Sequence, residues 1–317
     1  MKLFTTVLFL IIFVNVICEN SQNIDYQIKL INFYLNEGEF DNAIIYADSA
    51  MQQTEYLDSL NYFKATAFKA KQDWENAAVF FGNAILKSSD EQFINKLIPE
   101  YKDNLAKLSI VKSIEINANL LKEIETSKWQ IMFMEIMAEL YEKINLLEEA
   151  NDVYKTILQF EFLEQPLEIE MKIIQNLILL KNYEEALFTL QIVFVAQDSI
   201  YIQDALYFDY LANYALTNFA VAKASLLKLH CDFPQHPQKY EILKGLSDIF
   251  SKEKIYFVAW YFLEEMYEIS NKYQKIEIEM QMIELKNKIL NDSLKFDYFE
   301  NFELHLPQCG GEIYFTE

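Results

Sequence analysis

Arginine is absent from this sequence of 317 residues, so all 27 basic residues are lysine. Recognition of phosphates and base edges favours the two-pronged guanidinium group of arginine. The net charge of -21 also repels polyanions at long range. We therefore predict no binding to nucleic acid, and anionic membrane surfaces are disfavoured for the same reason.

Glycine and proline are scarce, with five residues of each. These residues mark most turns, so their scarcity leaves too few turn signals for a protein of many strands. Apolar residues make up 52% of the chain, which is too much for a disordered protein. The composition therefore predicts long helices.

Sequence motifs for catalysis are missing as well. The chain has no glycine-rich phosphate loop, no serine elbow flanked by glycines and no helical pair of histidines. Paired carboxylates such as Glu148 and Glu149 fall in turns and at helix starts, where the helix dipole accounts for them. We predict that the protein is not an enzyme and has no cofactor.

Residues 1–18 have the layout of a secretory signal peptide, with Lys2 before the apolar run 7–14. Cleavage after Cys18 would remove Lys2 and leave a secreted or periplasmic protein. Alternatively, Cys18 is the lipidated first residue of a bacterial lipoprotein, although Ile17 is larger than that pattern favours, or the segment is kept as a signal anchor. Membrane attachment is expected only in these alternatives, since no later segment has the uncharged length of a membrane span.

Small residues recur along the chain at an almost constant interval. Six alanines lie 34, 73, 36, 36 and 37 residues apart, each three positions after an aromatic or aliphatic residue: Ala43, Ala77, Ala150, Ala186, Ala222 and Ala259. The long interval indicates one degenerate copy, whose small residue falls near Ser113. An apolar-periodic stretch and a turn precede each alanine, and a second amphipathic stretch follows it. Such a recurrence predicts a solenoid whose unit is helix, turn, helix.

The residues around Ala77 alternate small and aromatic types in a defined pattern: Ala65, Phe68, Trp74, Ala77, Phe81 and Ala84. This pattern resembles the tetratricopeptide repeat family, and the copy around Ala150 matches it with two substitutions. The resemblance covers most of residues 25–270. It implies an all-α fold, a right-handed superhelical solenoid of about seven antiparallel helix pairs.

The predicted organisation has four parts. Residues 1–18 are the signal peptide, and residues 19–270 are the repeat solenoid. Residues 271–294 form a further amphipathic helix that caps the last repeat, because an end repeat must be shielded from water. Residues 295–317 form an extended aromatic tail, which is either a strap lying across the solenoid or a segment that docks on a partner.

In the tetratricopeptide repeat family the first helix of each pair lines a concave groove that binds partners. The matching positions singled out here are Tyr62, Phe63, Thr66, Glu135, Glu139, Tyr207, Leu211 and Tyr214. Tyrosine beside carboxylates suits peptide recognition, although core packing is the alternative for the aromatic residues. We predict a non-catalytic scaffold of the cell envelope or secretory compartment that binds a protein segment. A module that binds glycans is the alternative, since an aromatic groove serves both.

All three histidines and two of the three cysteines fall in two short stretches, which contain His230, Cys231 and His236, and His305 and Cys309. A zinc site built from both stretches is conceivable, but neither has the spacing of a zinc motif. We predict no metal. Cys231 and Cys309 are the cysteines left after signal removal, so a disulfide between them is a possible link in an oxidising compartment.

Overall fold

The computed structural model describes residues 24–52, 54, 56–124, 128–161 and 163–291. These residues form fifteen α-helices and no strand. The helices are α1 (24–37), α2 (Phe40–Met51), α3 (Leu57–Ala70), α4 (Trp74–Lys87), α5 (Glu91–Leu105), α6 (Ile110–Lys122), α7 (Lys128–Lys143), α8 (Leu147–Ile157), α9 (Pro166–Leu179), α10 (Tyr183–Ala196), α11 (Ile202–Ala215), α12 (Phe219–Asp232), α13 (Lys239–Lys252), α14 (Tyr256–Ile269) and α15 (Lys272–Asn291).

The helices follow one another as hairpins, from α1 with α2 to α13 with α14, and α15 packs against α14. The predicted all-α fold of repeated helix pairs is confirmed, and the described part of the chain contains seven such pairs. The chain divides into two compact units, which meet in sequence between Leu163 and Glu164. Unit 1 contains α1 to α8, and unit 2 contains α9 to α15.

The recurring alanines occupy one equivalent position in six of the seven hairpins. Each is the fourth residue of the second helix of its pair and is almost completely buried. These residues are Ala43, Ala77, Ala150, Ala186, Ala222 and Ala259. Ser113 holds the same position in α6 and is 1% exposed. A small side chain at this point lets the two helices of a pair approach closely. The degenerate copy is therefore the pair of α5 and α6.

Six of the seven hairpins turn through one residue in the left-handed backbone region, two positions before the second helix. These residues are Gly38, Gln72, Asn145, Lys181, Thr217 and Lys254. In the α11–α12 turn the Thr217 N–H donates to the Tyr214 carbonyl at 3.1 Å, and the Asn218 N–H donates to the Asn213 carbonyl at 2.8 Å. This bonding pattern is the Schellman motif, which satisfies the last carbonyls of a helix. Glycine is thus used at only one of six positions that favour it.

Thr217 gives a direct test of the strain in these turns. Its φ of 63° brings the β-carbon close to the following carbonyl, and β-branching adds to the crowding. Thr217→Gly is expected to raise the free energy of unfolding by about 1 kcal/mol. Urea denaturation would measure the change. Thr217→Ala is the control, because it keeps the β-carbon; an equal gain from alanine would assign the effect to the branch rather than to the backbone.

The core of unit 1 contains a polar network at the degenerate copy. The Tyr101 hydroxyl of α5 donates to Asn117 Oδ1 of α6 at 2.8 Å. Asn117 Nδ2 then donates to the Phe133 carbonyl of α7 at 2.7 Å. All three residues are fully buried, and burial raises the pKa of Tyr101 far above its ordinary value. Three successive helices are thus joined by one asparagine side chain.

The predicted capping helix corresponds to α15. Its residues Ile278, Leu285 and Ile289 are buried, and α15 packs on α14. The predicted signal peptide and tail lie outside the described residues. Within the described ranges, no helix combines the length and the apolar character that a membrane crossing requires.

Candidate functional site

The eight predicted groove residues lie on the first helices of three pairs. Five belong to unit 1, with Tyr62, Phe63 and Thr66 on α3 and Glu135 and Glu139 on α7. The other three lie on α11 of unit 2: Tyr207, Leu211 and Tyr214. All eight are half-buried, so each is both packed and accessible in part.

On α3 the aromatic side chains are mainly engaged in packing. The ring of Tyr62 lies 5.6 Å from that of Phe93 and 6.3 Å from that of Phe81. Phe63 packs beside Tyr62 at 5.7 Å, and the Thr66 hydroxyl donates to the Tyr62 carbonyl at 2.9 Å. This part of the predicted groove offers ring edges rather than open ring faces.

Ion pairs connect successive first helices of unit 1. Lys69 of α3 pairs with Glu100 of α5, and Lys102 of α5 pairs with Glu139 of α7 at 3.3 Å. The side chains of Lys102 and Glu139 are 43% and 37% exposed, so water screens the attraction and the pair contributes at most about 1 kcal/mol. These pairs bridge the accessible side of α3, α5 and α7, which we call the first-helix face. Sequence analysis identified Glu139 but missed Lys102.

A cavity of about 230 Å³ opens at this Lys102–Glu139 pair, between the α5–α6 hairpin and α7. Its lining is Lys102, Leu105, Ala106, Leu108, Ile110, Ser113, Ile136, Glu139, Leu140 and Lys143. Five of these side chains are large and aliphatic, whereas the charged groups are two lysines and one glutamate. The cavity can therefore hold an apolar side chain while its charged groups contact the polar atoms beside it. We call it the α5–α7 pocket.

The pocket lies where the repeat is degenerate. Between α5 and α6 no residue has positive φ, so this hairpin lacks the left-handed turn of the other six. Ser109 begins α6 instead, with its hydroxyl accepting from the Lys112 N–H at 3.3 Å. Ser113 replaces the recurring alanine, and its hydroxyl donates to the Leu105 carbonyl at 2.9 Å. The departure from the repeat, which weakens the sequence signal, is the feature that distinguishes this site.

In unit 2 the predicted residues form a packed aromatic row on α11. Tyr207 lies 5.9 Å from Tyr210 and 5.6 Å from the ring of His236. The Tyr214 hydroxyl accepts from Lys252 Nζ at 2.8 Å, and the same ammonium lies 4.3 Å from the Tyr214 ring. Lys252, which belongs to the neighbouring helix pair, therefore holds the row in place. Burial also raises the pKa of Tyr207.

His236 makes the stability of unit 2 sensitive to acid. It is 3% exposed, and its Nδ1 accepts from the Gln238 N–H at 3.1 Å, so the neutral ring carries its proton on Nε2. That nitrogen has no hydrogen-bond partner among the described residues, and Asp204 Oδ1 lies 3.9 Å away. Burial lowers the pKa of His236 against a smaller opposing effect of Asp204. Burial likewise lowers the pKa of His230 against the opposing charge of Glu265.

A depressed histidine pKa stabilises the folded state only while the ring stays neutral. We expect the contribution of these histidines to the stability of unit 2 to be complete above about pH 6.5 and to be lost as the pH falls from there to the lower folded-state pKa values, because in that range the unfolded chain binds more protons than the folded chain. Thermal unfolding at a series of pH values would measure this loss. His236→Asn keeps an acceptor for the Gln238 N–H and should reduce the loss; an unchanged pH profile would contradict the assignment.

The predicted absence of metal concerns the histidine and cysteine stretches. Among the described residues there is no group of three side chains placed to hold a metal ion. His305 and Cys309 lie outside these residues. Cys231, on the last turn of α12, is disulfide-bonded; because Cys309 is not described, the pairing of these two cysteines stays a prediction.

Comparison with solved structures identifies similar folds. The Naa15/Naa10 structure bound to HypK-THB has a TM-score of 0.53 and 12% sequence identity over 83% of this chain. A tetratricopeptide repeat protein from Parabacteroides merdae has a TM-score of 0.47 and 16% identity, covering 77% of this chain and 96% of its own. The TPR2AB domain of yeast Sti1, in a complex with pHSP90, has a TM-score of 0.33 and 16% identity, covering 84% and 99%.

Tetratricopeptide repeat proteins are thus among the structural neighbours of this chain. At 12% identity the likeness to the Naa15/Naa10 structure shows the fold alone. The chain spans 39% of the Naa15/Naa10 chain that it matches. No family model matches the sequence, and no curated protein matches it. The helix pairs themselves establish an all-α repeat fold, and the geometry of the site is the evidence for what it binds.

Proposed function

We propose that the protein is a non-catalytic scaffold that binds a segment of a partner protein on the first-helix face of unit 1. The observation that carries this proposal is the α5–α7 pocket, an aliphatic cavity beside the Lys102–Glu139 ion pair. An apolar side chain of the partner enters the pocket. The partner's main-chain carbonyls accept hydrogen bonds from Lys102 and Lys143. Such an arrangement combines an apolar anchor with polar groups that fix orientation.

The charge of the protein selects the rest of the partner segment. A net charge of -21 attracts basic segments and repels acidic ones during the encounter. The half-buried carboxylates Glu135 and Glu139 lie on the same helix as part of the pocket lining. The preferred ligand is therefore an extended or helical segment with one large aliphatic residue between lysines or neutral residues.

The proposed location is the cell envelope or the secretory compartment. The support is the leader-like segment 1–18, with its apolar run and Cys18 before a polar sequence. These residues lie outside the described part of the chain. Determining the first residue of the protein as isolated from its native source would test the location, and a retained Met1 would contradict signal cleavage.

Ala106→Trp tests the pocket without disturbing the core. Ala106 is exposed and lines the cavity, so an indole at this position fills the entrance while the buried side chains stay unchanged. We expect affinity for peptides with a central leucine between lysines to fall at least tenfold, a loss of about 1.4 kcal/mol. Fluorescence anisotropy with a labelled peptide library would measure the affinities.

Ala220→Trp is the matched control, because Ala220 is exposed on α12 and does not line the pocket. Equal loss in both variants, or none in Ala106→Trp, would contradict the proposed site. The same proteins should be tested on immobilised polysaccharides. Polysaccharide binding without peptide binding would favour the glycan-binding alternative.

A further inference from the structure

Helix α15 carries two apolar faces. One face is buried in unit 2 and includes Ile278, Leu285 and Ile289. The other is exposed along the helix and consists of residues spaced three, four, three and seven apart: Tyr273, Ile276, Met280, Ile283 and Leu290. We call this second set the outer seam. Its members are 84%, 51%, 61%, 62% and 47% exposed, in the same order.

An outer seam of this kind is unexpected on a capping helix. The end of a repeat array needs a polar outer face, because no further repeat covers it. Residues at spacings of three and four lie along one side of a helix, so the first four form a continuous stripe, and Leu290 lies on the same side two turns further on. Continuous exposed apolar stripes mark surfaces that are covered by another chain or segment.

We propose that residues 295–306 of the same chain cover the outer seam of α15. This segment lies outside the described residues, and it follows α15 after three residues, 292–294. Five of its six aromatic and aliphatic residues lie at even-numbered positions: Phe296, Tyr298, Phe302, Leu304 and Leu306. The exceptions to the alternation are Phe299 and Glu300. In an extended chain these positions point to one side, which matches a single apolar stripe. The stripe runs along a helix about 30 Å long, within reach of about 40 Å of extended chain.

A second copy of the protein fits the outer seam less well. Specific dimers bury about 800 Å² on each partner, more than five side chains along one helix can offer. Each copy also carries a net charge of -21, which opposes association. The tail is attached to the helix that it covers, so its effective concentration is high and no association entropy is lost.

The predicted link between Cys231 and Cys309 requires a similar path. Second helices of successive pairs run in the same direction, and α15 returns antiparallel to α14 after the short link 270–271. Cys231, in the last turn of α12, therefore lies toward the end of unit 2 where α15 begins. A chain leaving the other end of α15 must run back along that helix to reach Cys231. Residues 292–308 span about 56 Å when extended, which is enough.

Photo-crosslinking in the full-length chain tests the proposal. A benzophenone amino acid replaces Met280, at the middle of the outer seam, and in a second protein it replaces Val195. Val195 is the matched control because it is an exposed apolar residue of the same unit, 83% accessible on α10. After irradiation, mass spectrometry identifies the crosslinked peptides and the mass of the product.

We expect position 280 to crosslink within one chain to residues 295–306 at least tenfold more than position 195 does. Crosslinking of position 280 to a second copy would overturn the proposal, as would the absence of a crosslink to the tail. Equal crosslinking from both positions would also overturn it, because it would show unspecific adhesion. Circular dichroism of both proteins checks that the helices are intact. The result does not depend on the proposed function, which concerns unit 1.

Discussion

Replacing Asn117 with alanine is expected to lower the free energy of unfolding by about 3 kcal/mol. The substitution removes both hydrogen bonds of this buried side chain, from the Tyr101 hydroxyl and to the Phe133 carbonyl. Both partner groups are then left in the core without a partner. Each unsatisfied buried group costs about 1 to 3 kcal/mol, and the lost side-chain volume adds a cavity.

The effect of Asn117→Ala should also reach the pocket, because the network joins α5, α6 and α7, the helices that form it. Chemical denaturation gives the stability change, and hydrogen exchange shows whether it is concentrated in these helices. Tyr101→Phe is the control: it should cost less, since Asn117 keeps its bond to Phe133. The double variant should be less destabilised than the sum of the single variants. A loss under about 0.5 kcal/mol in Asn117→Ala would contradict this account.

Gly245→Leu is expected to destabilise unit 2 by about 3 kcal/mol. A β-carbon at Gly245 of α13 would lie 2.7 Å from the Tyr210 hydroxyl and 2.9 Å from Leu226 Cδ1. Tyr210 is 9% exposed and Leu226 is fully buried, so neither side chain has open space to move into. The larger side chain must therefore displace helices that approach closely at this glycine.

The neighbouring substitution Lys244→Leu controls for the added apolar volume, because Lys244 is half-buried on the same helix. It should change stability by less than about 0.5 kcal/mol. Gly245→Ala should lie between the two, since the clash of one methyl group is offset in part by the helix propensity gained. Thermal and urea unfolding of the three variants would rank them. Equal stability of Gly245→Leu and Lys244→Leu would show that α13 and α11 adjust freely.

The sequence predicts the fold well because the fold depends on short-range periodicity and one small residue in each copy. The interval between alanines locates the second helix of six pairs, and the double interval locates the degenerate pair at Ser113. The predicted first helices carry the named groove residues, although their role in binding is still a prediction. Few turn signals were expected from five glycines, and only one of the six left-handed hairpin turns uses a glycine.

The pocket and the outer seam were not predicted, for different physical reasons. The pocket depends on how the hairpin at Ala106 meets α7, and such three-dimensional spacing leaves no periodic signal. Lys102 becomes informative only beside Glu139 of another helix. The sequence does not reveal the outer seam, because α15 has apolar residues on two opposite sides. Their contributions to the amphipathicity of the helix largely cancel, so neither side stands out. Tyr273 and Met280 are apolar in the sequence, but only the packing on α14 shows that they face outward.

The left-handed residues at the hairpin turns indicate how far the sequence of such a protein can diverge while the turns are kept. Glutamine, asparagine, lysine and threonine all occupy the same strained backbone conformation, and the main chain supplies the bonds that hold it. The position of each turn is therefore indicated by the spacing of the buried alanines and not by the type of residue at the turn. Two proteins could share every hairpin turn of this chain at low sequence identity. Structural comparison would then detect their similarity before sequence comparison did.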